Sequence, residues 1–266
     1  MIFEPTEKTE AIDQYRAEFY RTINAPVDAM WEILYIGNSQ HYLIQWNGAD
    51  IGYCCINEKR CLTQVFVEAK YNPIMNQVIQ ELIAQSRITS ANLSSKETLA
   101  FNACLHLSTK IKANTLCFEH NNIEVEEDET LLLTQAKPND ILAIQNFLKE
   151  QIGFIDDFGY TENLVKRSEL YFYKDSGELV ATSECRLSES QPQFADLGII
   201  VNRDHQRKGI ATKVMRKQAN RVIRMGRKPI CSTTVENIAS KKALEKSGFY
   251  CSNIIFDMHF QKSKDH

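Results

Sequence analysis

The stretch Val201-Asn-Arg-Asp-His-Gln206-Arg-Lys-Gly209-Ile-Ala211 has the residue types to hold an anion. The apolar run ahead of it reads as a strand over 195–201. Beyond it, Ile210, Val214, Ala219, Val222 and Ile223 recur at helical spacing, so a helix is expected over 209–225. The first turn of such a helix leaves backbone N–H groups without partners and carries about half a positive charge. That combination suits an anion, and phosphate best. Small residues at Gly209 and Ala211 let a pyrophosphate approach the backbone, and Arg207 and Lys208 add charge at the rim. The same residues also suit an ordinary strand-to-helix turn with a solvated basic edge. A Walker ending and a GxGxxG pattern are both missing. Just upstream, Asp196 interrupts the apolar strand and shares a face with Gly198 and Ile200, while Glu184 sits on the preceding strand. A carboxylate entering such a strand is either functional or lies at its solvated mouth.

The elements that must position these residues come in a repeated order. Strand, helix, strand, helix over 195–247, behind a hairpin that turns at Ser176-Gly177, gives a mixed sheet flanked by helices. The first half reads in the same order, with Asn47-Gly48 as its hairpin turn. Tyr42 and Tyr171 are 129 residues apart, as are Gly48 and Gly177. Ile74 and Val78 face Ile210 and Val214 at an offset of 136, and Leu105 and Ser108 face Leu244 and Ser247 at 139. An offset that grows by small loop insertions is how a diverged duplication behaves. The fold class expected is therefore α/β, an α+β mixed and mostly antiparallel sheet flanked by helices, in two tandem domains at 1–125 and 126–266. The boundary is placed near the acidic stretch 119–130, which holds six acids.

Composition fits this. At 266 residues with 43% hydrophobic and 24% charged side chains, the chain falls outside the disordered, collagenous and coiled-coil classes. The net charge of −3 hides an asymmetry: residues 1–128 carry 10 Lys/Arg against 17 Asp/Glu, and residues 129–266 carry 21 against 17. The eight cysteines lie mostly in apolar stretches without a CxxC, which reads as reduced thiols in a cytoplasmic protein, and no metal site is expected. No apolar run is long enough to span a membrane, and no secretory leader is read at the N-terminus. The basic region 203–228 lacks aromatic interleaving, so no nucleic-acid partner is expected.

The pattern V-x-x-x-x-Q-x-x-G-x-A, filled by Val201, Gln206, Gly209 and Ala211, resembles the acetyl-CoA loop of the GCN5-related N-acetyltransferase (GNAT) family. A second motif of that family follows at its usual distance, Val235-Glu-Asn237-Ile-Ala-Ser-Lys-Lys-Ala243-Leu-Glu-Lys246-Ser-Gly248-Phe249. The resemblance covers roughly 131–260 and is faint before 120. It implies an acetyl-CoA-dependent N-acetyltransferase acting by direct attack of an amine of a small molecule or peptide, working as a monomer or homodimer without a metal. Backbone groups of Ile199, Ile200 and Val201 would pair with the pantetheine arm. N–H groups of Gln206, Arg207, Lys208, Gly209, Ile210 and Ala211, with the Thr212 hydroxyl, would hold the pyrophosphate, and Asn237 would bond the pantetheine arm or the acyl-carrying end. Asp196 would be the catalytic base, with Glu184 in reserve. The family often has a tyrosine acid where this chain has Leu244, which leaves Ser232, Thr233 or Tyr250 as substitutes and leaves open a CoA-binding sensor or regulatory protein with weak or no turnover. The first half has Glu68-Ala-Lys-Tyr-Asn-Pro-Ile-Met-Asn-Gln at the loop position, without glycine and with a carboxylate where phosphate would approach. It reads as a degenerate copy, whose Trp31, Tyr35, Tyr42 and Trp46 form core or line a substrate cleft.

Overall fold

The computed structural model describes residues 1–7 and 10–261. It divides the chain into one unit of Met1–Cys117 with the residues from Ser252 onward, and another of Phe118–Cys251.

In the first unit β1 (Ile2–Thr6) pairs antiparallel with β2 (Gln40–Trp46), which turns into β3 (Ala49–Ile56). The turn forms because Asn47 and Gly48 both take positive φ, 51° and 80°, as a two-residue hairpin of the right twist demands. β4 (Cys61–Val67) is antiparallel to β3 and runs parallel to β5 (Ser90–Ser94). Every residue of β4 is buried, because helices cover both of its faces. Helices α2 (Met75–Ala84) and α3 (Thr98–Leu107) contribute Val78, Ile79, Leu82 and Ala103 to one core, with Ile44, Leu62, Val65 and Leu93 from the strands. Helix α1 (Glu10–Thr22) and a π-helical turn at Trp31–Ile36 bring Ile12, Phe19 and Trp31 onto Tyr53 and Phe66 in a second. β6 (Ser108–His120) follows α3.

The rest of the chain repeats this order: β7 (Leu133–Gln135), α4 (Ile141–Ile152), α5 (Tyr160–Lys166), β8 (Leu170–Asp175), β9 (Glu178–Leu187), β10 (Phe194–Val201), α6 (Ile210–Arg224), β11 (Lys228–Thr234), α7 (Ile238–Lys246) and β12 (Phe249–Phe260). Strands β7 to β10 pair antiparallel in sequence, and β11 joins β10 in parallel. Ser176 and Gly177, at φ 49° and 86°, make the second hairpin turn. Ile144, Phe147 and Leu148 of α4 and Leu164 of α5 pack on Leu170 and Phe172. Helix α6 buries Val214, Met215, Ala219 and Val222 as its amphipathic spacing requires. In both units the strand pairing is mixed and mostly antiparallel, as expected. A cut at 125/126, however, keeps all of β12 with the second half, whereas the residues from Ser252 group with the first unit. The reason is strand pairing: Ile255–His259 lie antiparallel to Ser94–Ser90 of β5.

The charge asymmetry also gains a physical account. The acidic stretch lies along α6, where Asp128 pairs with Lys213 at 2.7 Å, Glu127 with Lys217 at 3.5 Å, and Glu124 and Glu127 with Arg224 at 2.9 and 2.7 Å. Arg216 donates to the carbonyl of Lys246, and the Arg221 guanidinium lies 4.3 Å from the ring centre of Tyr171. Much of the basic excess on α6 is thus matched inside its own unit. All eight cysteines are free thiols, and seven are buried. Among the described residues no group of three or more His, Cys, Asp or Glu is placed to hold a metal ion, and no helix is long and apolar enough to cross a membrane.

Candidate active site

The strands around Asp196 open where a ligand would enter. β10 pairs with β9 from Ala195 to Val201, but with β11 only at Phe194↔Lys228, Ala195↔Pro229 and Asp196↔Ile230. Beyond Asp196 the parallel ladder parts, and Gly198, Ile199, Ile200 and Val201 are half-buried. Backbone groups on such an opened edge are obligatory hydrogen-bonding groups, and an extended ligand can add to them as a strand does.

The chain then leaves β10 through a tight loop. Asn202 accepts from the Asp204 N–H at 3.0 Å and holds a single turn at Arg203–His205. The His205 ring rests 3.3 Å from Glu178 on the rim, and Gln206, Arg207, Lys208 and Gly209 are exposed. Arg207 and Gly209 have φ of 63° and 78°. A Cβ at Gly209 would meet no atom within 4 Å, so glycine serves the left-handed backbone there while the space before it stays open. Helix α6 begins at Ile210, and the Lys213 N–H is the one that returns to the Gly209 carbonyl, at 3.1 Å. The amides of Ile210, Ala211 and Thr212 therefore lie in the first turn, where a helix has no acceptors of its own. The residues fit an anion cradle.

On the face of the sheet that packs α4 and α5, four polar side chains meet. The ladder sets Arg186 opposite Asp196 and Glu184 opposite Gly198, so all four positions share one face. Arg186 Nη2 donates to Asp196 Oδ1 at 3.0 Å, and its Nη1 pairs with Glu184. Tyr160, the first residue of α5, donates its hydroxyl to Glu184 Oε2 at 2.7 Å and accepts from Arg186 Nη1 at 3.2 Å. Burial pushes the Tyr160 phenol well up, so it stays protonated as a donor. The Asp196 side chain is 1% exposed and that of Glu184 17%. A Cβ on Gly198 would sit 3.5 Å from Glu184 Oε2, which places that carboxylate over the strand where the ladder parts. From the other face Ser183 Oγ donates to the Gly198 carbonyl at 2.8 Å, and buried Gln218 of α6 donates to Ser183 at 3.2 Å. Sequence reasoning had both carboxylates but neither Tyr160 nor Arg186. Alternation along β9 could have found Arg186 as a face-mate of Glu184; no spacing links Tyr160 to either.

Comparison with known families decides what this arrangement belongs to. Residues 8–121 match the model of an acetyltransferase (GNAT) domain, and residues 139–249 that of the acetyltransferase (GNAT) family. The chain belongs to the GNAT acetyltransferase family. It carries two such domains in tandem, and they support an acetyltransferase. A GNAT-family acetyltransferase from Colwellia psychrerythraea superposes with a TM-score of 0.92 at 26% identity, over 98% of this chain and 100% of that one. A GCN5-related N-acetyltransferase from Sphaerobacter thermophilus gives 0.69 at 13%, over 100% and 97%. A tandem GNAT protein from the clavulanic acid biosynthesis pathway, solved without acetyl-CoA, gives 0.62 at 12%, over 99% of both chains. The last two share the fold. Comparison with curated protein sequences finds no match.

Within the second GNAT domain, the remaining motif residues have plain structural positions. Asn237 caps α7, its side-chain oxygen accepting from the Ser240 N–H at 3.0 Å, which leaves its amide N–H groups as donors. Leu244 is 3% exposed and packs inward from α7. Ser232 and Thr233 are half-buried on the parted stretch of β11, whereas the Tyr250 hydroxyl lies 3.4 Å from Lys228 at the start of that strand. Of the aromatic residues in the first domain, Trp31 is buried and stacks on Tyr35 at 4.2 Å, and Tyr42 and Trp46 pack against the core.

Proposed function

We propose that the second domain, the part expected over 126–266, binds acetyl-CoA and transfers its acetyl group to a primary amine of a small molecule or peptide. The observation that carries this reading is the parted β10/β11 ladder leading directly into the left-handed Gly209 turn and the first turn of α6. The opened edge at Ile199, Ile200 and Val201 would take the amides of the pantetheine arm. The amides from Gln206 to Ala211, with the Thr212 hydroxyl, would take the pyrophosphate, with Arg207 and Lys208 at its rim, and Asn237 would donate to the arm. The first domain, expected over 1–125, has no such loop, and we read it as a degenerate copy.

Glu184, rather than Asp196, is the base we favour. Its carboxylate lies over Gly198 and is the more accessible of the two, while Asp196 is enclosed with Arg186. Glu184 takes the ammonium proton, directly or through water. The amine nitrogen then bonds to the thioester carbon, whose oxygen accepts from a backbone N–H of the 199–201 edge. On collapse the carbon–sulfur bond breaks, and the second proton on nitrogen passes to the departing thiolate. That route needs no side-chain acid and accommodates Leu244. The free thiols support a cytoplasmic setting, and the ion pairs along α6 argue against nucleic acid as a partner; a monomer or homodimer suffices.

Release of free CoA thiol, followed with DTNB across an amine panel, tests the reading. Acetyl-CoA should bind and amine should be acetylated. Tight acetyl-CoA binding with no turnover across a broad panel would replace this reading with a CoA sensor.

A further inference from the structure

The segment between α4 and α5 carries an apolar surface that neither the core nor the cofactor uses. Gly153 ends α4 in the left-handed conformation at φ 71°, with its N–H returning to Lys149 at 2.9 Å. At the other end Asp156 accepts from the Tyr160 and Thr161 N–H groups at 2.8 and 2.6 Å. A loop tied at both ends holds its side chains in place. Yet it presents Ile155 at 66% exposure and Phe158 at 60%, which solubility alone disfavours.

These side chains lead to the base. The Phe158 ring lies 6.1 Å from Tyr160 and 6.2 Å from Phe154, and Phe154 lies 5.8 Å from Tyr160. Phe154 and Tyr160 pack in one cluster with Ile200 of the opened strand. The Tyr160 hydroxyl then donates to Glu184. An aromatic arc thus runs from an exposed ring to the carboxylate over Gly198. The charge along it is acidic: Asp157 and Glu162 are exposed, Asp156 is half-buried, and Arg186, the cation among Tyr160, Glu184 and Asp196, is bound to both carboxylates. An ammonium group complements those acids, and an apolar body complements the arc.

We propose that the acceptor is a small monoamine with an apolar ring or chain, its body seated on Ile155 and Phe158 and its nitrogen directed past Tyr160 to Glu184. The proposal rests on the acetyltransferase reading given above. A polyamine, which would bring charge where the arc is apolar, does not fit.

The test compares 2-phenylethylamine, hexylamine, ethylamine and spermidine with saturating acetyl-CoA, alongside calorimetric binding of 2-phenylethylamine to the CoA-loaded protein. Expected is a kcat/KM for 2-phenylethylamine and hexylamine at least about tenfold above ethylamine and spermidine. Phe158→Ala should remove most of that advantage through KM, and Ile155→Ser should do the same more weakly. Ethylamine or spermidine turned over as well as the apolar amines, or a Phe158→Ala loss equal for every amine, would overturn the proposal. Binding of 2-phenylethylamine that Phe158→Ala weakens, without turnover of any amine, would overturn the catalytic reading and leave the site standing. Absence of both binding and turnover of apolar amines would overturn the site itself.

Discussion

The two domains part their parallel strands at corresponding points and then diverge. In the first, β4 and β5 pair at Cys61↔Ser90 and Leu62↔Ala91 before separating; in the second, β10 and β11 separate after Asp196↔Ile230. After β4 the chain enters a short helical turn over Ala69–Ile74 that contains Pro73 and no residue of positive φ, with half-buried Glu68 paired to exposed Lys70 at 2.7 Å. After β10 it passes through two left-handed residues, Arg207 and Gly209, into a bare helix start. The strand edges differ in the same sense. Val65, Phe66 and Val67 are buried and line a cavity of about 240 Å³ with Phe19 and Met75, while Ile199 to Val201 remain half-buried. The parting of the strands belongs to the fold. What makes it fit a cofactor is the sign of φ at two loop residues and what is left uncovered.

The largest effect expected is on that loop. Gly209→Glu sets a carboxylate in the anion cradle and a side chain at a left-handed φ, and should weaken acetyl-CoA binding by more than about a thousandfold, some 4 kcal/mol. The circular dichroism of the fold should persist, since a Cβ there meets nothing. The matching change in the first domain, Pro73→Glu, should leave affinity unaltered, and calorimetry should count one acetyl-CoA per chain. A stoichiometry of two would erase the distinction drawn between the two openings.

Next in size is the carboxylate pair, which the first domain lacks: where the strands part, β4 carries Leu62 in place of Asp196, and Cys55 lies opposite Gln64 as Glu184 lies opposite Gly198. Glu184→Gln should lower kcat by about a hundredfold with acetyl-CoA affinity kept. Asp196→Asn leaves a buried arginine short of one charge partner, so it should cost stability in urea melts as well as rate. A larger kcat loss in Asp196→Asn than in Glu184→Gln, at full folding, would return the base to Asp196.

How far these features could be read without coordinates depends on how local their causes are. The hairpin turns, the loop 202–209 and the start of α6 are fixed by residues adjacent in sequence, and all were expected where they stand. Arg186 and Tyr160 join Glu184 through ladder register and helix placement, which spacing does not encode. Membership of β12 was missed for the same reason: nothing around Ser252 signals that the strand will pair with Ser90–Ser94. The acids of 124–128 marked only a domain boundary in the sequence, because their partners lie 85 to 100 residues away on α6.

The domains also differ in how they hold a buried acid. Burial raises the Glu97 carboxyl of the first domain to about 7, with Lys96 opposing; its Oε1 accepts from the Ser94 N–H at 3.1 Å and its Oε2 is buried without a hydrogen bond. A carboxyl raised on folding costs stability as pH climbs from its unfolded value toward its folded one. The first domain should therefore weaken between about pH 4.5 and 7. Glu97→Gln should recover on the order of 2 kcal/mol at pH 8 and little at pH 4.5, read as urea midpoints. An equal gain at both pH values would mean that the substitution acts through packing.

The smallest effect is expected for Glu127, the opposite case. Burial works against its charge, but hydrogen bonds from Asn220 and Arg224 and the nearby Lys217 outweigh it, and its carboxyl is lowered. A depressed carboxyl adds stability above its unfolded value that is lost as pH falls through the folded one, so its share should begin to fall below about pH 4.5 and be gone once the folded value is passed. The site is near the surface and screened by salt, and Glu127→Gln should cost about 1 kcal/mol or less at pH 7, shrinking in 1 M salt. A loss that salt leaves untouched would assign the effect to the neutral bond with Asn220. In that case the acidic stretch would hold α6 by shape and hydrogen bonding, and the charge division between the two halves would carry no structural weight.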